Sequence, residues 1–304
     1  MADGPNIDLI VPRSDEISSF YQAADRMGFH SLWFTEMVFS QGWVDKKGQD
    51  PFGVLAPAAA VTSRIRLGAA PPGNSSPTTP ILSFAEETAS VDILSSGRLS
   101  LGLSQGRWPD EGVGERPHPR IAGRLTETIT LLKRLWSESE VSFKGSHNNL
   151  ERASIDVRPA QIGGIPILVG GVTSASVNLA ATLVDGWVHP SGGVPGGVAR
   201  GCDMVRRLAS IAGRDPDSLE LGKVIYLSID NNKARARMRI APRLEAFYGG
   251  YNVDSWCAFG PPAECAAFIR GFLDAGITTV MLCLVPPDVE HLERLHHEVV
   301  PLLK

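Results

Sequence analysis

The segment from Arg64 to Arg107, RIRLGAAPPGNSSPTTPILSFAEETASVDILSSGRLSLGLSQGR, carries the pattern that decides the fold. The short apolar run from Ile65 to Ala70 predicts a strand. Pro80 can open a helix that Gly97 closes before a second strand, Leu99 to Leu103. Two strands joined through a helix form a parallel crossover, and both run into glycine-rich segments at their carboxyl ends. Parallel α/β folds bind ligands at that edge, so the segment predicts both a fold class and a site.

The rest of the chain repeats this alternation of short apolar runs and amphipathic segments. Six further strands are predicted, at 7–11, 31–34, 165–169, 186–189, 221–229 and 278–284. Eight strands alternating with helices predict an α/β fold, a (β/α)8 TIM barrel forming one domain over residues 1–304. The segment 141–158 alternates short runs and is expected to form a small hairpin-like insertion in this domain.

Composition excludes several classes of protein. The formal net charge is -4, and the basic residues are spread along the chain rather than gathered in the stripe that nucleic acid requires. No run of about 18 apolar residues appears, and the start MADGPNIDLIVP lacks a basic n-region, so we expect a soluble cytoplasmic protein without membrane contact. The four cysteines show no CxxC pairing and are expected to be reduced core thiols, with no metal site.

A glycine-rich turn follows the predicted strand at 165–169. Gly170, Gly171, Val172 and Thr173 come directly before a predicted helix that begins near Ser174. Exposed N–H groups at a helix N-terminus, supplemented by hydroxyl groups, bind phosphate well, so these residues are candidate cofactor-binding positions. The alternative is a tight strand-to-helix turn in which Thr173 or Ser174 is only an N-cap.

Several charged and titratable residues lie at other strand ends, loops and helices of the predicted fold. His189 ends the strand at 186–189, on the side where barrels carry their chemistry, and is a candidate catalytic residue; a capping or hydrogen-bonded histidine is the alternative. Arg107 ends a Gly-x-x-x-Gly-Arg run and can pair with an anion or remain a solvated loop residue. His291, His296 and His297 fall on the predicted terminal helix and are expected to be solvated.

Five segments extend this interpretation: GFHSLWFTEM, TSRIRLGAAPP, SSGRLSLGLSQGR, IPILVGG and GPPAECAAFIRGFLDAGITTVMLCLV. In this order they resemble the bacterial luciferase-like flavin and deazaflavin oxidoreductases, and the resemblance covers nearly the whole chain. It implies an eight-stranded barrel that binds FMN or the deazaflavin coenzyme F420 at the carboxyl ends of its strands. Related barrels often form dimers, so the resemblance also implies a homodimer.

The resemblance assigns roles to individual positions. A cis peptide after the third strand is common in such proteins, and the matching bond, Ala70 to Pro71, would back a flat ring; an ordinary strand terminator is the alternative. Thr35 is a candidate cofactor contact, and Glu36 matches an acidic position near the ring, which makes it the candidate catalytic acid. A structural carboxylate is the alternative for Glu36. Asp110 matches the position of a ring-contacting amide.

The chain departs from this family immediately after Glu36. Met37 and Val38 occupy the positions where the resemblance leads us to expect histidines. Neither side chain has a titratable proton, so neither can act as a general acid or base. The usual proton donor is therefore missing.

Three functions fit the sequence. The first is a deazaflavin-dependent oxidoreductase that transfers hydride between coenzyme F420 and an organic small-molecule substrate. The aromatic residues of the loops 35–50 and 105–120, Phe39, Trp43 and Trp108, favour an apolar or planar substrate. The second is an FMN-dependent luciferase-like monooxygenase. The third is a non-catalytic cofactor- or ligand-binding relative that lacks the usual histidine.

Overall fold

The computed structural model of the chain describes residues 4–11, 17–35, 51–70, 80–104, 119–248 and 250–304. Some of the positions discussed above lie outside the described residues: Glu36, Met37, Val38, Phe39, Trp43, Pro71 with the Ala70–Pro71 bond, Arg107, Trp108 and Asp110.

Eight parallel strands close into a barrel. In chain order they are β1 (Asn6–Val11), β2 (Ser31–Thr35), β3 (Arg66–Ala70), β4 (Leu99–Ser104), β7 (Ile167–Gly170), β8 (Gly186–His189), β9 (Glu220–Ile229) and β11 (Thr279–Leu284). Each pairs with the next in this order, and β11 pairs with β1, which closes the ring. The predicted TIM barrel is confirmed.

Helices alternate with these strands and cover the outside of the barrel. They are α1 (Ile17–Met27), α2 (Pro51–Val61), α3 (Ile81–Leu94), α4 (Pro119–Ser137), α5 (Ser174–Thr182), α6 (Pro195–Ile211), α7 (Lys233–Tyr248), α8 (Val253–Trp256), α9 (Pro262–Asp274) and α10 (Val289–Arg294). Leucines that point outward from neighbouring strands, such as Leu9, Leu32, Leu67 and Leu101, are fully buried beneath them. This layer between strands and helices forms the larger part of the core.

A ninth parallel strand was not predicted. β10 (Cys257–Gly260) pairs with the last four residues of β9, beyond the point where β8 ends. Eight strands complete a TIM barrel, and the sequence pattern assigned all eight without the segment 257–260. Helices α7 and α8 connect β9 to β10 and pack on the inner face of this extension, where they contribute Ile240, Leu244 and Val253 to the core.

The segment 141–158 contains an antiparallel hairpin of β5 (Val141–Lys144) and β6 (Asn149–Ala153), as its alternating pattern predicted. The carboxylate of Glu127 on α4 accepts hydrogen bonds from the main-chain N–H groups of Ser146, His147 and Asn148 in the turn. Burial alone would raise the pKa of Glu127, but these hydrogen bonds outweigh it and lower the pKa. The hairpin is thereby fixed to the outside of α4.

Two predictions about side-chain environment have different outcomes. All four cysteines are buried free thiols, as expected. The prediction that His291 is solvated was wrong: its side chain is 4% exposed, and Nε2 accepts a hydrogen bond from the main-chain N–H of Ile229 at 2.8 Å. Ile229 ends β9, and the helical periodicity around His291 cannot reveal that a strand terminus needs an acceptor there. Within the described ranges, no helix has the length and apolar character needed to span a membrane.

Candidate active site

The strand register brings several predicted site residues to the carboxyl edge of the barrel. Thr35 at the end of β2 pairs with Ala70 at the end of β3. Gly170 at the end of β7 lies between Ser104 of β4 and Val188 of β8. The candidate ring contacts and the candidate phosphate turn therefore share one edge, separated by β4.

The indole of Trp33 closes the barrel interior one pleat below Thr35 and Ala70. A Cβ atom on Gly68 would lie 2.2 Å from this ring, and one on Gly102 would lie 3.1 Å from it. Glycine at both positions makes room for the indole. Its Nε1 donates a hydrogen bond to Oδ2 of buried Asp8 at 2.6 Å, which fixes the ring in the barrel.

Below the indole lies a group of interacting charges, which we name the floor cluster: Asp8, His30, Arg66 and Glu220. His30 Nδ1 lies 2.8 Å from Asp8 Oδ1, and although burial alone would lower the pKa of His30, the contact with Asp8 raises it. Burial and the nearby Asp8 charge raise the pKa of Glu220 to about 7. The floor cluster therefore fills the amino end of the barrel interior with titratable and charged groups that affect one another's pKa values.

The turn after β7 has a conformation that favours glycine. Gly171 has a φ of 132°, and a Cβ atom there would lie 2.7 Å from Oγ of Ser176. Its N–H donates to the carbonyl of Val188, and its carbonyl accepts from Nε1 of Trp187 at 2.7 Å. The turn is thus fixed to β8 on both sides.

The first turn of α5 offers main-chain donors beside this glycine. Thr173 is the N-cap, since its Oγ1 accepts from the N–H of Ser176 at 3.1 Å. Among the described residues, the N–H groups of Ser174 and Ala175 have no acceptor, as is usual for the first turn of a helix. Val172 is 61% exposed, so an anion can reach these donors. Thr173 is therefore an N-cap, and the helix terminus that it caps can still bind phosphate.

A buried polar atom without a partner lies at the same edge. Oγ1 of Thr35 is buried and forms no hydrogen bond with any part of the chain that the structure describes. A buried hydroxyl without a partner costs free energy, so such groups usually meet a ligand or water. Thr35 therefore offers a donor or acceptor to a bound molecule.

His189 lies on the other side of the barrel wall. It shares a face of β8 with Trp187, whose ring packs against Gly201 of α6, so both side chains point toward the helices. Its Nδ1 lies 2.8 Å from the carbonyl oxygen of Pro190. Burial and the charge of Lys223 lower the pKa of His189 to about 4, so the ring is neutral at pH 7. The structure does not bring His189 to the inner face shared by Thr35 and Ala70.

A family model described as luciferase-like monooxygenase matches residues 4–263. The chain belongs to the luciferase-like monooxygenase family. This confirms the resemblance found in the sequence segments, and the match runs from β1 through β10 into the start of α9.

Individual members of the luciferase-like group resemble the chain over most of its length. The F420-dependent glucose-6-phosphate dehydrogenase of Kineococcus radiotolerans is 26% identical, and the alignment covers 95% of this chain and 93% of the relative. The F420-dependent hydroxymycolic acid dehydrogenase of Mycobacterium tuberculosis is 29% identical over 74% of this chain and 62% of its own length. The solved structure of an F420-dependent secondary alcohol dehydrogenase in complex with an F420-acetone adduct has a TM-score of 0.82 at 20% identity and covers 99% of both chains. At 20% identity, the likeness to this solved structure shows the fold alone.

Sequence reasoning missed several residues of this luciferase-like barrel. Trp33, Gly68 and Gly102 were not selected, although the alternation of period two places them on one face of their strands. Tyr226 and Tyr248 were also missed, because they are separated by a whole helix and come together only in the folded chain.

Proposed function

We propose that this protein is an oxidoreductase that uses coenzyme F420 to transfer hydride to or from an organic, apolar or planar substrate. One feature carries the proposal: the turn from Gly170 to Thr173, which leads to the N–H groups of Ser174 and Ala175, lies at the same barrel edge as the Thr35 hydroxyl, which has no partner among the described residues. The first can bind an anion, and the second can form a hydrogen bond with a polar ring atom. The names of the two sequence relatives favour F420 over FMN as the cofactor that supplies both.

The residues present at this edge fit such a cofactor. Ala70 and Gly170 are small residues at this edge, and the nearest described atom to a Cβ on Gly170 would lie 3.9 Å away, which leaves room for a flat ring. Thr35 and Ala70 would contact the ring, and the turn from Gly170 to Thr173 would hold the phosphate. When bound, the deazaflavin supplies hydride chemistry, while the chain supplies orientation and a polar environment.

The remaining predicted contacts complete this proposal. Pro71, Arg107 and Asp110 are proposed as further cofactor contacts, and Glu36 is proposed as an acid beside the ring. His189 is neutral and lies on the helix-facing side of β8, so we propose that it supports the loop after β8 instead of exchanging protons with the substrate.

Apolar side chains at the rim of the barrel support an apolar substrate. Val172 and Val194 are 61% and 51% exposed, and both follow strands at the carboxyl edge. Basic residues of α7 are engaged in ion pairs: Lys233 with Glu264, Arg235 with Asp230, and Arg237 with Asp254. An uncharged substrate therefore suits this rim better than a sugar phosphate does.

Fluorescence quenching distinguishes the candidate cofactors. The purified protein is titrated separately with F420 and with FMN, and we expect saturable binding of F420 with a much weaker response to FMN. The family description favours FMN-dependent monooxygenation as the second candidate, and tight binding of FMN alone would replace our proposal with it. If neither cofactor binds, both enzyme functions fail and the non-catalytic function gains support.

We further propose that residues 1–304 form one barrel domain that works as a cytoplasmic homodimer. Light scattering coupled to size-exclusion chromatography measures the mass directly. A mass of about one chain at micromolar concentration would contradict the dimer.

A further inference from the structure

A buried lysine lies between the barrel wall and the helices, next to the end of β8. Lys223 of β9 pairs in register with His189 of β8, and its ammonium lies 5.3 Å from the ring centroid of Phe272 on α9. The residue is 1% exposed. Among the described lysines, those that form ion pairs are Lys133 and Lys233, and Lys223 is not one of them. Its charge is therefore balanced by main-chain dipoles and an aromatic ring.

The ammonium of Lys223 holds the first carbonyl group after β8. Its Nζ donates hydrogen bonds to the carbonyl oxygen of Pro190 at 2.6 Å and to that of Val224 at 2.8 Å. Nδ1 of His189 lies 2.8 Å from the same Pro190 oxygen. The carbonyl group of Pro190 is thus fixed both from its own strand and from the neighbouring strand β9.

This strand end also fixes the turn from Gly170 to Thr173, which we name the glycine turn. The carbonyl oxygen of Val188 accepts a hydrogen bond from the N–H of Gly171 at 3.1 Å, and Nε1 of Trp187 donates to the Gly171 carbonyl at 2.7 Å. Val188 and Pro190 are separated by one residue. A continuous series of hydrogen bonds and peptide bonds therefore leads from Lys223 to the glycine turn.

The segment that follows Pro190 contains two glycines with positive φ. Gly192 has a φ of 87° and Gly193 a φ of 78°, and a Cβ atom on Gly193 would lie 3.1 Å from the ring of His189. Glycine restricts the main chain less than any other residue. The position of the strand end therefore depends on contacts from outside this segment, among them the one from Lys223.

The charge of Lys223 changes near neutral pH, whereas that of its surroundings does not. Burial lowers the pKa of Lys223 to about 7. Burial and the Lys223 charge lower the pKa of His189 to about 4, and burial raises the pKa values of the nearby thiols to about 11 or 12. The titratable groups on the surrounding elements that keep one charge state between pH 6 and 8.5 are His189 on β8, Cys257 on β10, Cys202 and Arg206 on α6, and Cys265 on α9.

We propose that Lys223 is a positioning residue for the cofactor: its ammonium fixes Pro190 and so keeps the glycine turn in its binding conformation until the ammonium loses its proton. This inference rests on the proposed function. Hydrogen bonds from a charged donor are roughly twice as strong as those from a neutral one. F420 affinity should therefore be highest below pH 7, where Lys223 is charged, and should decline as pH rises through about 7.

The first test compares the unsubstituted full-length protein with Lys223→Met, which removes the ammonium at similar side-chain length. Both are titrated with F420 by fluorescence quenching at pH 6 and at pH 8.5. We expect Lys223→Met to bind F420 about tenfold more weakly than the unsubstituted protein at pH 6, and only about threefold more weakly at pH 8.5. Ionisation of F420 itself affects both proteins equally, so it cancels in the ratio of the two dissociation constants.

The matched control is Lys133→Met. Lys133 on α4 also donates to a main-chain carbonyl, that of Leu183 at 2.7 Å, but Leu183 precedes β8 and lies at the amino edge of the barrel. This variant loses the same kind of hydrogen bond far from the glycine turn. It should keep F420 affinity within about twofold of the unsubstituted protein at both pH values.

A second measurement needs no cofactor. Hydrogen exchange followed by NMR at pH 6 reports how often the hydrogen bond from the Gly171 N–H to Val188 opens. We expect this N–H to exchange about tenfold faster in Lys223→Met than in the unsubstituted protein. The N–H of Ile167, which donates to Asp185 at the other end of β7, should exchange at the same rate within about twofold.

The outcomes separate this inference from the proposed function. If the unsubstituted protein does not bind F420, the proposed function fails and this inference fails with it. If F420 binds but the ratio of dissociation constants is the same at both pH values, or the Gly171 N–H exchanges at an unchanged rate, the role of Lys223 is overturned while F420 dependence stands.

Discussion

The two ends of the barrel interior are built in opposite ways. At the amino end, Asp8 bonds to His30 and to Trp33, and the charges of Asp8, His30 and Arg66 act on Glu220. At the carboxyl end, Ala70 and Gly170 leave space, and the Thr35 hydroxyl has no partner among the described residues. The amino end is therefore filled by side chains of the floor cluster, although Oε1 of Glu220 also has no partner among the described residues, and the carboxyl end leaves room for a ligand.

This difference separates stability from binding. In TIM barrels, residues at the amino end serve stability and residues at the carboxyl end serve chemistry. Here Trp33 is the boundary between them, because Asp8 anchors its indole from below and small residues surround it above. Substitutions in the floor cluster should thus change the free energy of unfolding, whereas those at the carboxyl edge should change cofactor affinity.

The largest effect is expected for Asp8→Ala. It would leave the Trp33 N–H and the His30 ring without their buried acceptor, and we expect the free energy of unfolding to fall by about 3–5 kcal/mol. Urea unfolding followed by circular dichroism measures the change. The control Asp156→Ala removes an exposed carboxylate and should cost less than about 0.5 kcal/mol. A cost below about 1 kcal/mol for Asp8→Ala would show that the floor cluster does not support the fold.

At the carboxyl edge, Gly171→Asp should give the second largest effect. Any side chain at 171 strains the turn, since φ is 132° and the Cβ atom would approach Ser176, so Gly171→Ala is the matched control. We expect Gly171→Ala to weaken F420 binding about tenfold and Gly171→Asp to weaken it by about a further tenfold, because a carboxylate repels the phosphate.

Fluorescence titration against F420 measures both constants, and circular dichroism checks that the fold is kept. Equal affinities for the Ala and Asp variants would place the phosphate elsewhere. A large fall in the free energy of unfolding with unchanged F420 affinity would show that this turn serves stability. It would then remove the distinction between the two ends.

The contribution of the amino end to stability is expected to depend on pH. The folded-state pKa of Glu220, about 7, lies above that of an unfolded glutamate, so protonated Glu220 contributes stability that is complete below about pH 4 and is lost as pH rises through about 7. The charged groups that face it are Asp8, His30 and Arg66, and the raised pKa of His30 works in the same direction.

Glu220→Gln removes this titration while keeping the side-chain volume. We expect the variant to match the unsubstituted protein near pH 5 and to be about 2 kcal/mol more stable at pH 8. Glu151→Gln, at an exposed position on β6, should leave the pH dependence of stability unchanged. Parallel stability curves for Glu220→Gln and the unsubstituted protein between pH 5 and 8 would contradict the assignment.

The smallest effect is expected for Thr35→Val, which removes the buried hydroxyl at nearly constant volume. Because that hydroxyl has no partner among the described residues, the free energy of unfolding should not fall, while F420 affinity should weaken about threefold. Thr130→Val on the outer side of α4 is the control and should leave affinity unchanged. A drop in stability with no change in affinity would make Thr35 a structural residue.

Local patterns predicted most of the fold. Strands such as β1 and β9 have apolar runs long enough to be predicted from the sequence. Gly28 and Gly97 follow helices and adopt the left-handed conformation that their positions indicated. β10 was not predicted, because the eight strands of the barrel were assigned without it. The glycine turn and its N-cap were also predictable, since Thr173 lies at a fixed offset before a helical pattern.

Sequence alone therefore determined the order of strands and helices, the family resemblance and the glycine turn at α5, because each depends on residues that are close along the chain. The tertiary structure decided which face of a strand is inside. Closure of the ring turned Trp33 inward onto Asp8 and His189 outward, and it brought Ser191, Tyr226 and Tyr248 into one hydrogen-bonded group. Such contacts join residues far apart in sequence, so they depend on the register in which neighbouring strands pair.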